Sequence, residues 1–216
     1  TEEKAKLGLE VAKKEKALLE QLDYQDGYSL YIGIPFCPTT CSYCSFTSSP
    51  IAAWKPRVDE YLDAVCKELT FIASVSKDKK LNTIYIGGGT PTTLEPAQLD
   101  RLLTHLETHF SYKHLKEITV EAGRPDSITK EKLQVLKDHN IGRISINPQT
   151  MQQKTLDLIG RKHTVEDVKK IYWIDNHEEL NFLQKDGMLA VNATGYPYGM
   201  SSCIRVAKAE VKVDES

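Results

Sequence analysis

Tyr31-Ile32-Gly33-Ile34-Pro35-Phe36-Cys37-Pro38-Thr39-Thr40-Cys41-Ser42-Tyr43-Cys44 is an apolar run that leads into three closely spaced cysteines. Together with the preceding Tyr28-Ser29-Leu30, the residues before Pro35 are rich in β-branched and aromatic side chains, which is typical of a short β-strand over 28–34. The cysteines follow with the spacing C-x3-C-x2-C. A loop of this size can wrap three corners of a cubane iron–sulfur cluster and leave the fourth corner open.

The spacing of these cysteines favours a cluster over a zinc site. Iron–sulfur clusters usually take four thiolates, so three ligands with no fourth nearby indicate an iron reserved for another molecule. A zinc site is the alternative, but it would favour C-x2-C spacing and a completing histidine, and no histidine lies near the loop. Cys66 and Cys203 are isolated, so a disulfide framework is a weaker interpretation. We predict that the metal ligands are Cys37, Cys41 and Cys44.

Strands and helices alternate outward from this loop. An amphipathic helix is predicted over residues 1–22, followed by strands over 28–34, 81–86, 118–121 and 143–146 and by helices over 58–72, 96–110 and 129–139. Such alternation is typical of an α/β fold with a parallel sheet and right-handed crossovers. Four strand-helix units are recognisable by residue 147.

Marked residues follow the C-terminal end of each predicted strand. The cysteine loop follows the first strand, Gly87-Gly88-Gly89 stops the second, Glu121 ends the third, and Asn147-Pro148-Gln149 follows the fourth. In a parallel α/β sheet the chemistry gathers at these strand ends. We therefore expect all four features to meet in a single site.

The chain divides into three predicted segments. Residues 1–27 form a helical approach segment, 28–170 form the core of strand-helix units, and 171–216 form an unassigned tail. In the tail the alternating pattern breaks, and no fifth strand-helix unit is predicted. The tail fits a foreign continuation, a frameshifted end or a small extra domain equally well.

Composition limits the classes of function. The 216 residues are 40% hydrophobic, enough to bury the core of one domain or a little more. Twenty-eight basic and thirty acidic side chains give a net charge of −2, so no broad cationic surface for nucleic acid is expected. The chain has no apolar run of about eighteen residues that would span a membrane. We expect a cytoplasmic protein in a reducing compartment, and because it begins without Met, a piece of a longer one.

The joint set of motifs resembles the oxygen-independent coproporphyrinogen III oxidases and their dehydrogenase-like relatives, within the radical S-adenosylmethionine (SAM) family. It is most similar to the Gram-positive coproporphyrinogen dehydrogenase branch. The resemblance covers about residues 28–170 and rests on the strand and cysteine loop, the Gly87–Thr92 run, Glu121, the Arg143–Thr150 run and the Leu158–Thr164 run. It implies a partial radical SAM (β/α) barrel with an atypical C-terminal segment.

The resemblance also implies the cofactors and their contacts. Cys37, Cys41 and Cys44 would hold a [4Fe–4S] cluster whose open iron binds SAM. The matching SAM-binding positions are Tyr31, Tyr43, Gly88, Gly89, Thr90, Glu121, Gln149 and Arg161. At the glycines, missing side chains would let the backbone approach SAM. Reductive cleavage of SAM would give a 5′-deoxyadenosyl radical for oxidative decarboxylation of coproporphyrinogen III propionates in haem biosynthesis. An electron donor such as flavodoxin or ferredoxin is implied, and no catalytic side chain is assigned beyond the cluster.

The sequence departs from the oxidase pattern at three places. Ser45-Phe46 stands where the oxidases carry a further cysteine, so a haem-binding chaperone on the same scaffold is an alternative function. Arg124 interrupts a common motif, and we expect a solvated loop arginine rather than a contact with a substrate propionate. Beyond residue 170 the expected Asp-containing motif is not recognisable, and Asp186 is left unassigned. A truncated chain without activity is therefore a third possibility.

Overall fold

The computed structural model describes residues 1–20, 22, 25–172, 189–193 and 202–205. The helices are α1 (Glu2–Leu19), α2 (Ile51–Trp54), α3 (Val58–Val75), α4 (Pro96–His109), α5 (Lys130–Asp138), α6 (Gln153–Leu158) and α7 (Val165–Tyr172). The strands are β1 (Gly27–Ile34), β2 (Phe36–Cys37), β3 (Ser49–Pro50), β4 (Lys80–Gly88), β5 (Glu117–Glu121), β6 (Arg143–Ile146), β7 (Leu189–Ala193) and β8 (Ser202–Arg205). The predicted order of strands and helices up to residue 146 is confirmed.

One six-stranded sheet forms the framework, in the order β1-β4-β5-β6-β7-β8. Neighbouring strands from β1 to β7 are parallel, whereas β7 and β8 are antiparallel. Because each strand pairs with the next one along this order, the C-terminal ends of β1, β4, β5 and β6 lie side by side. The predicted α/β class with a parallel sheet is confirmed.

The core is built from alternating strand residues and the apolar stripes of three helices. The strands contribute Ile32, Ile34, Ile84, Ile86, Val120, Ile144 and Ile146, and the helices contribute Leu62, Leu69, Leu99, Leu102, Leu103, Leu106, Leu133 and Leu136. The helix positions recur at spacings of three and four, which places them on one face of each helix. Tyr61 on α3 also donates a 2.6 Å hydrogen bond to the carbonyl of Gly33. The parallel strands are thus covered by α3, α4 and α5.

Helix α1 contributes none of its described side chains to this core. Leu7 and Val11, two apolar residues at helical spacing in this helix, are 62% and 47% exposed. The first helix ends at Leu19 rather than residue 22. Residues 1–27 remain a predicted approach segment, and the site described below lies outside α1.

Two expectations about strands were wrong. Strand β4 extends through Gly87 and Gly88, which pair with Gly33 and Ile34 of β1 instead of ending the strand. Glycine has no Cβ, so the two backbones can continue side by side. A further parallel strand, β7, pairs with β6 although no fifth strand was predicted. Its apolar run is too short for periodicity to distinguish helix from strand, and pairing with β6 and β8 specifies it.

Most of the tail from 171 to 216 lies outside the described residues. Asp186, which was left unassigned, is in that part of the chain. The described portions are the end of α7 and the strands β7 and β8. In the part of the chain that the structure describes, no helix combines the length and apolar character needed to cross a membrane.

Candidate functional site

The cysteine loop follows the C-terminal end of β1, and backbone contacts hold both of its ends. Strand β2, which includes Cys37, pairs with β3, so the chain returns to its starting point after the loop. The amide of Ser49 donates a 2.8 Å hydrogen bond to the carbonyl of Pro35 and closes the same junction. Cys37 and Cys41 are buried and Cys44 is half-buried. The loop is therefore a defined element that presents three thiols to one side.

Ten of the eleven predicted site residues line one cavity of about 210 Å³ at the strand ends. They are Cys37, Cys41, Tyr43, Cys44, Gly88, Gly89, Thr90, Glu121, Gln149 and Arg161. The eleventh, Tyr31, lines a neighbouring groove that shares Gly88 and Phe46 with the cavity. Sequence positions spread over more than a hundred residues meet because the strand ends are adjacent. The structure also adds Asn147, Gly123, Arg124, Ser45 and Phe46 to the lining.

The three cysteines fit a cluster better than a single metal ion. All three thiols are free, and no disulfide joins them. Among the described residues, no three His, Cys, Asp or Glu side chains are placed to hold one ion together. A cubane binds each thiolate through a different iron, so it holds its ligands farther apart than one zinc does. The cavity is also several times the volume of about 30 Å³ that one water occupies. The donor set and the space therefore suit a cluster with a bound small molecule.

Thr90 contacts a predicted metal ligand. Its Oγ1 lies 3.4 Å from the Sγ of Cys37, in a buried position. Burial raises the pKa of the Cys37 thiol, while the hydrogen bond from Thr90 and the positive charge of Arg124 act in the opposite direction. A donor held against the sulfur favours the thiolate that a metal requires. Thr90 lines the cavity with its hydroxyl beside this sulfur, and the SAM contact assigned to it stays a prediction.

The glycines at the end of β4 are required by close backbone packing. Gly88 has a φ of +103°, in the region that favours glycine. A Cβ at Gly89 would lie 2.6 Å from the carbonyl oxygen of Phe36. The amides of Gly89 and Thr90 donate hydrogen bonds of 2.7 Å to the carbonyls of Ile34 and Phe36. These glycines thus fasten the β4 loop to the start of the cysteine loop, a role that the sequence did not reveal.

Glu121 ends β5 and is held by a tyrosine that was not predicted. The Oη of Tyr85, on the adjacent strand, donates a hydrogen bond to Oε1 of Glu121. Burial raises the pKa of Glu121, and hydrogen bonds from Tyr85 and from the Gly88 backbone limit the rise. Burial is the main cause that raises the pKa of Tyr85, and the hydrogen bond to Glu121 raises it further. The ring of Tyr85 stacks on that of Tyr31 with centroids 6.0 Å apart. Tyr85 is opposite Tyr31 in the β1–β4 register, a relationship that the sequence alone does not provide.

Gln149 adopts a strained backbone conformation beside the cavity. Its φ is +67°, which is uncommon for a residue other than glycine. The preceding carbonyl, that of Pro148, accepts a 3.2 Å hydrogen bond from Nε2 of the fully buried His163. Such strain costs on the order of 1–3 kcal/mol and persists where surrounding contacts enforce it. His163 was not predicted as a site residue, and it holds the turn that carries Gln149.

Arg161 brings a half-buried guanidinium to the wall of the cavity. It donates hydrogen bonds to the Oη of Tyr43 at 3.0 Å and to the carbonyl of Gly123 at 3.3 Å. Its buried Nε has no hydrogen-bond partner, and none of the ion pairs among the described residues involves it. A half-buried guanidinium at the wall of a cavity is suited to a ligand carboxylate.

Arg124 is buried, so the expectation of a solvated loop arginine was wrong. Its side chain is 2% exposed and forms a two-pronged ion pair with Asp126, at 3.0 Å from Nε and 2.9 Å from Nη2. Its Nη1 lies 3.2 Å from the carbonyl of Thr39 and 3.9 Å from the Sγ of Cys41. An arginine can be buried when a carboxylate neutralises it and its donors are satisfied. Neither charge pairing nor burial is evident from the local sequence.

The sequence of residues 31–172 matches the Radical SAM superfamily, and the chain belongs to this superfamily. Its members generally use a [4Fe–4S] cluster and SAM. Among individual proteins, the chain is 41% identical over 198 residues to the oxygen-independent coproporphyrinogen-III oxidase-like protein HemZ of Bacillus subtilis. That alignment covers 90% of the chain and 40% of HemZ. The resemblance inferred from the motifs is therefore confirmed.

The chain is also similar to a haem chaperone and to a solved oxidase structure. The haem chaperone HemW of Bacillus subtilis is 40% identical over 141 residues, covering 65% of the chain and 36% of HemW. The solved structure of coproporphyrinogen III oxidase HemN from Escherichia coli matches with a TM-score of 0.63 and 28% identity. That match covers 76% of the chain and 36% of HemN. The chain thus spans about two fifths of the length of these relatives.

Proposed function

We propose that this chain binds a [4Fe–4S] cluster through Cys37, Cys41 and Cys44, and that it binds SAM beside the cluster. The observation that carries the proposal is the convergence of ten predicted site residues on one cavity at four strand ends. When bound, the cluster supplies an electron that cleaves SAM, and the 5′-deoxyadenosyl radical so formed removes hydrogen from a substrate.

The side chains around the cavity have distinct tasks in this proposal. Arg161, whose side chain lines the cavity, binds the carboxylate of SAM. Glu121, held by Tyr85, accepts hydrogen bonds from amino or hydroxyl groups of SAM. Tyr43, which is half exposed, lies along the adenine at the rim. Gln149 presents its amide from a turn fixed by Pro148 and His163.

The substrate we propose is coproporphyrinogen III, whose propionate side chains would undergo oxidative decarboxylation in haem biosynthesis. The similarity to HemZ and HemN supports this choice, because the names of both relatives refer to coproporphyrinogen III oxidase. An electron donor such as flavodoxin or ferredoxin would reduce the cluster. No described side chain is assigned to the decarboxylation itself.

The test is release of 5′-deoxyadenosine by the anaerobically reconstituted, reduced chain with and without coproporphyrinogen III. We expect release in both samples and faster release with the porphyrinogen, detected by mass spectrometry. Cys41→Ala should abolish release, whereas Cys66→Ala, which alters a cysteine on α3 outside the cavity, should not. Absence of release from the wild type under both conditions would contradict the enzymatic proposal.

A haem chaperone is a second candidate function. It is supported by Ser45-Phe46, which replaces the further cysteine of the oxidases, and by the similarity to HemW. Titration with haem separates the two candidates. A tight one-to-one complex, together with SAM cleavage that coproporphyrinogen III does not accelerate, would favour the chaperone. Weak haem binding with porphyrinogen-dependent cleavage would favour the enzyme.

A further inference from the structure

Arg124 lines the cavity together with Arg161, and it has no assigned role. Its side chain is 2% exposed, and a buried guanidinium is costly unless its charge and donors are matched. Asp126 neutralises it through Nε and Nη2. These two contacts leave Nη1, on the far side of the planar group, directed at the cysteine loop.

The Nη1 atom makes three contacts with that loop. It lies 3.2 Å from the carbonyl oxygen of Thr39, 3.1 Å from Oγ1 of the same residue, and 3.9 Å from the Sγ of Cys41. Thr39 stands between the first two cysteines in the sequence. A single guanidinium nitrogen therefore fixes the backbone of the loop and is a donor to the sulfur of one predicted ligand.

The backbone of Arg124 is itself held in place. Its carbonyl accepts hydrogen bonds from the amide of Ser127 at 2.9 Å and from the Oγ of Ser127 at 2.7 Å. Ser127 is buried and also lies 2.6 Å, oxygen to oxygen, from Oγ1 of Thr92 in the loop after β4. The position of the guanidinium is thus set by the ends of two strands and not by a mobile surface loop.

Cluster potentials depend on the charge around the cluster and on donors to its sulfurs. Hydrogen bonds and positive charge stabilise the reduced, more negative state and so raise the reduction potential. Arg161, the other arginine of the cavity, makes its described contacts with Tyr43 and Gly123 and none with a cysteine sulfur. Arg124 is therefore the cation placed to act on a predicted ligand.

We propose that Arg124 is a positioning residue for the cluster: it holds the cysteine loop through Thr39 and, as a donor to Cys41, raises the reduction potential of the cluster. Asp126 sets the size of this effect because it partly neutralises the guanidinium. This inference rests on the proposed cluster site and adds to it the residues that adjust its potential.

The experiment is a redox titration, monitored by electron paramagnetic resonance (EPR), of anaerobically reconstituted chains. Arg124→Met should move the midpoint potential to a more negative value, because a donor and a positive charge are lost. Arg124→Lys keeps the positive charge but lacks the planar set of donors of the guanidinium. It should shift the midpoint potential less, again to a more negative value. Asp126→Asn should move the potential to a more positive value, because the guanidinium is no longer neutralised.

The opposite signs separate a redox role from a merely structural one. Arg124→Met and Asp126→Asn both remove the Arg124–Asp126 ion pair. If the role of Arg124 were structural alone, the two variants would lose iron content and stability to the same extent. The midpoint potential of the cluster would then stay unchanged in both. The matched control is Arg143→Gln, which removes an arginine–carboxylate pair with Glu117 outside the cavity and should leave the potential as in the wild type.

The outcomes also distinguish failure of this inference from failure of the proposed function. Wild-type chain that takes up no cluster would overturn the cluster site itself. A wild type that loads fully, with variants that titrate at the wild-type potential, would overturn the role of Arg124 alone. If Arg124→Met holds no cluster, Arg124→Lys decides, and a wild-type potential in that variant overturns the inference.

Discussion

Arg161 donates a 3.0 Å hydrogen bond from Nη2 to the Oη of Tyr43, across 118 residues of sequence. The neighbouring backbone makes a second link, from the amide of Ser42 to the carbonyl of Ile159 at 3.2 Å. The segment after α6 therefore closes over the cysteine loop and brings two predicted SAM contacts together. These two links connect the loop after β1 with the residues that follow α6.

Arg161→Lys should weaken SAM binding without preventing cluster assembly. Lysine keeps the charge but cannot supply the second nitrogen donor that the guanidinium presents. Charge-assisted hydrogen bonds contribute about 1.5–3 kcal/mol, so the dissociation constant should rise roughly tenfold or more. Calorimetric titration of SAM into the reconstituted chain measures this. Arg57→Lys, on the exposed surface, is the control, and an unchanged affinity for Arg161→Lys would refute its role.

Glu121→Gln should stabilise the apo chain in a manner that depends on pH. Because burial raises the pKa of Glu121 in the folded state above its ordinary value of 4.5, the folded state holds its proton to higher pH than the unfolded state does. Native stability therefore falls as the pH rises from about 4.5 through the raised pKa, and it then levels off. The neutral amide of the variant carries no such penalty, so the advantage of the variant should grow across that window.

Urea unfolding of both apo chains at a series of pH values tests this expectation. The control is Glu117→Gln, which changes a glutamate at the other end of β5. It removes an ion pair with Arg143, so it should lower the free energy of unfolding by up to about 1 kcal/mol at neutral pH instead of raising it. A constant difference between Glu121→Gln and the wild type over the whole pH range would show that burial does not shift the titration of Glu121.

Gly89→Ala should destabilise the junction between the β4 loop and the cysteine loop. The new Cβ would meet the carbonyl oxygens of Phe36 at 2.6 Å and of Ile34 at 2.9 Å, which are backbone atoms and cannot rotate away. We expect a loss of about 1–3 kcal/mol in unfolding free energy and reduced iron uptake. Gly33→Ala is the matched control, because its Cβ would meet only a Tyr31 ring atom at 3.6 Å. Equal stability of the two variants would contradict the packing role.

Several positions of the site could be predicted because they end or follow a recognisable strand. Cys37, Glu121 and Gln149 are far apart in sequence, yet the rule that parallel strand ends meet is sufficient to bring them together. Tyr85 could not be found in this way, since its contact with Glu121 depends on the register of two strands.

Local sequence patterns could predict neither the burial of Arg124 nor the strand β7. Arg124 resembles a solvated loop residue until Asp126 and the cysteine loop are seen around it. Strand β7 is too short for its periodicity to identify it, and pairing with β6 specifies it. In both cases a tertiary contact outweighs the local preference.

The decisive measurement is EPR of the reduced, anaerobically reconstituted chain before and after addition of SAM. We predict about four irons per chain, a broad absorbance near ~400 nm, and a change in the EPR signal when SAM binds the open iron. Cys41→Ala should show neither cluster nor signal, and Cys66→Ala should match the wild type. A colourless protein that holds a single zinc, or a cluster whose signal is unaltered by SAM, would contradict the proposed site.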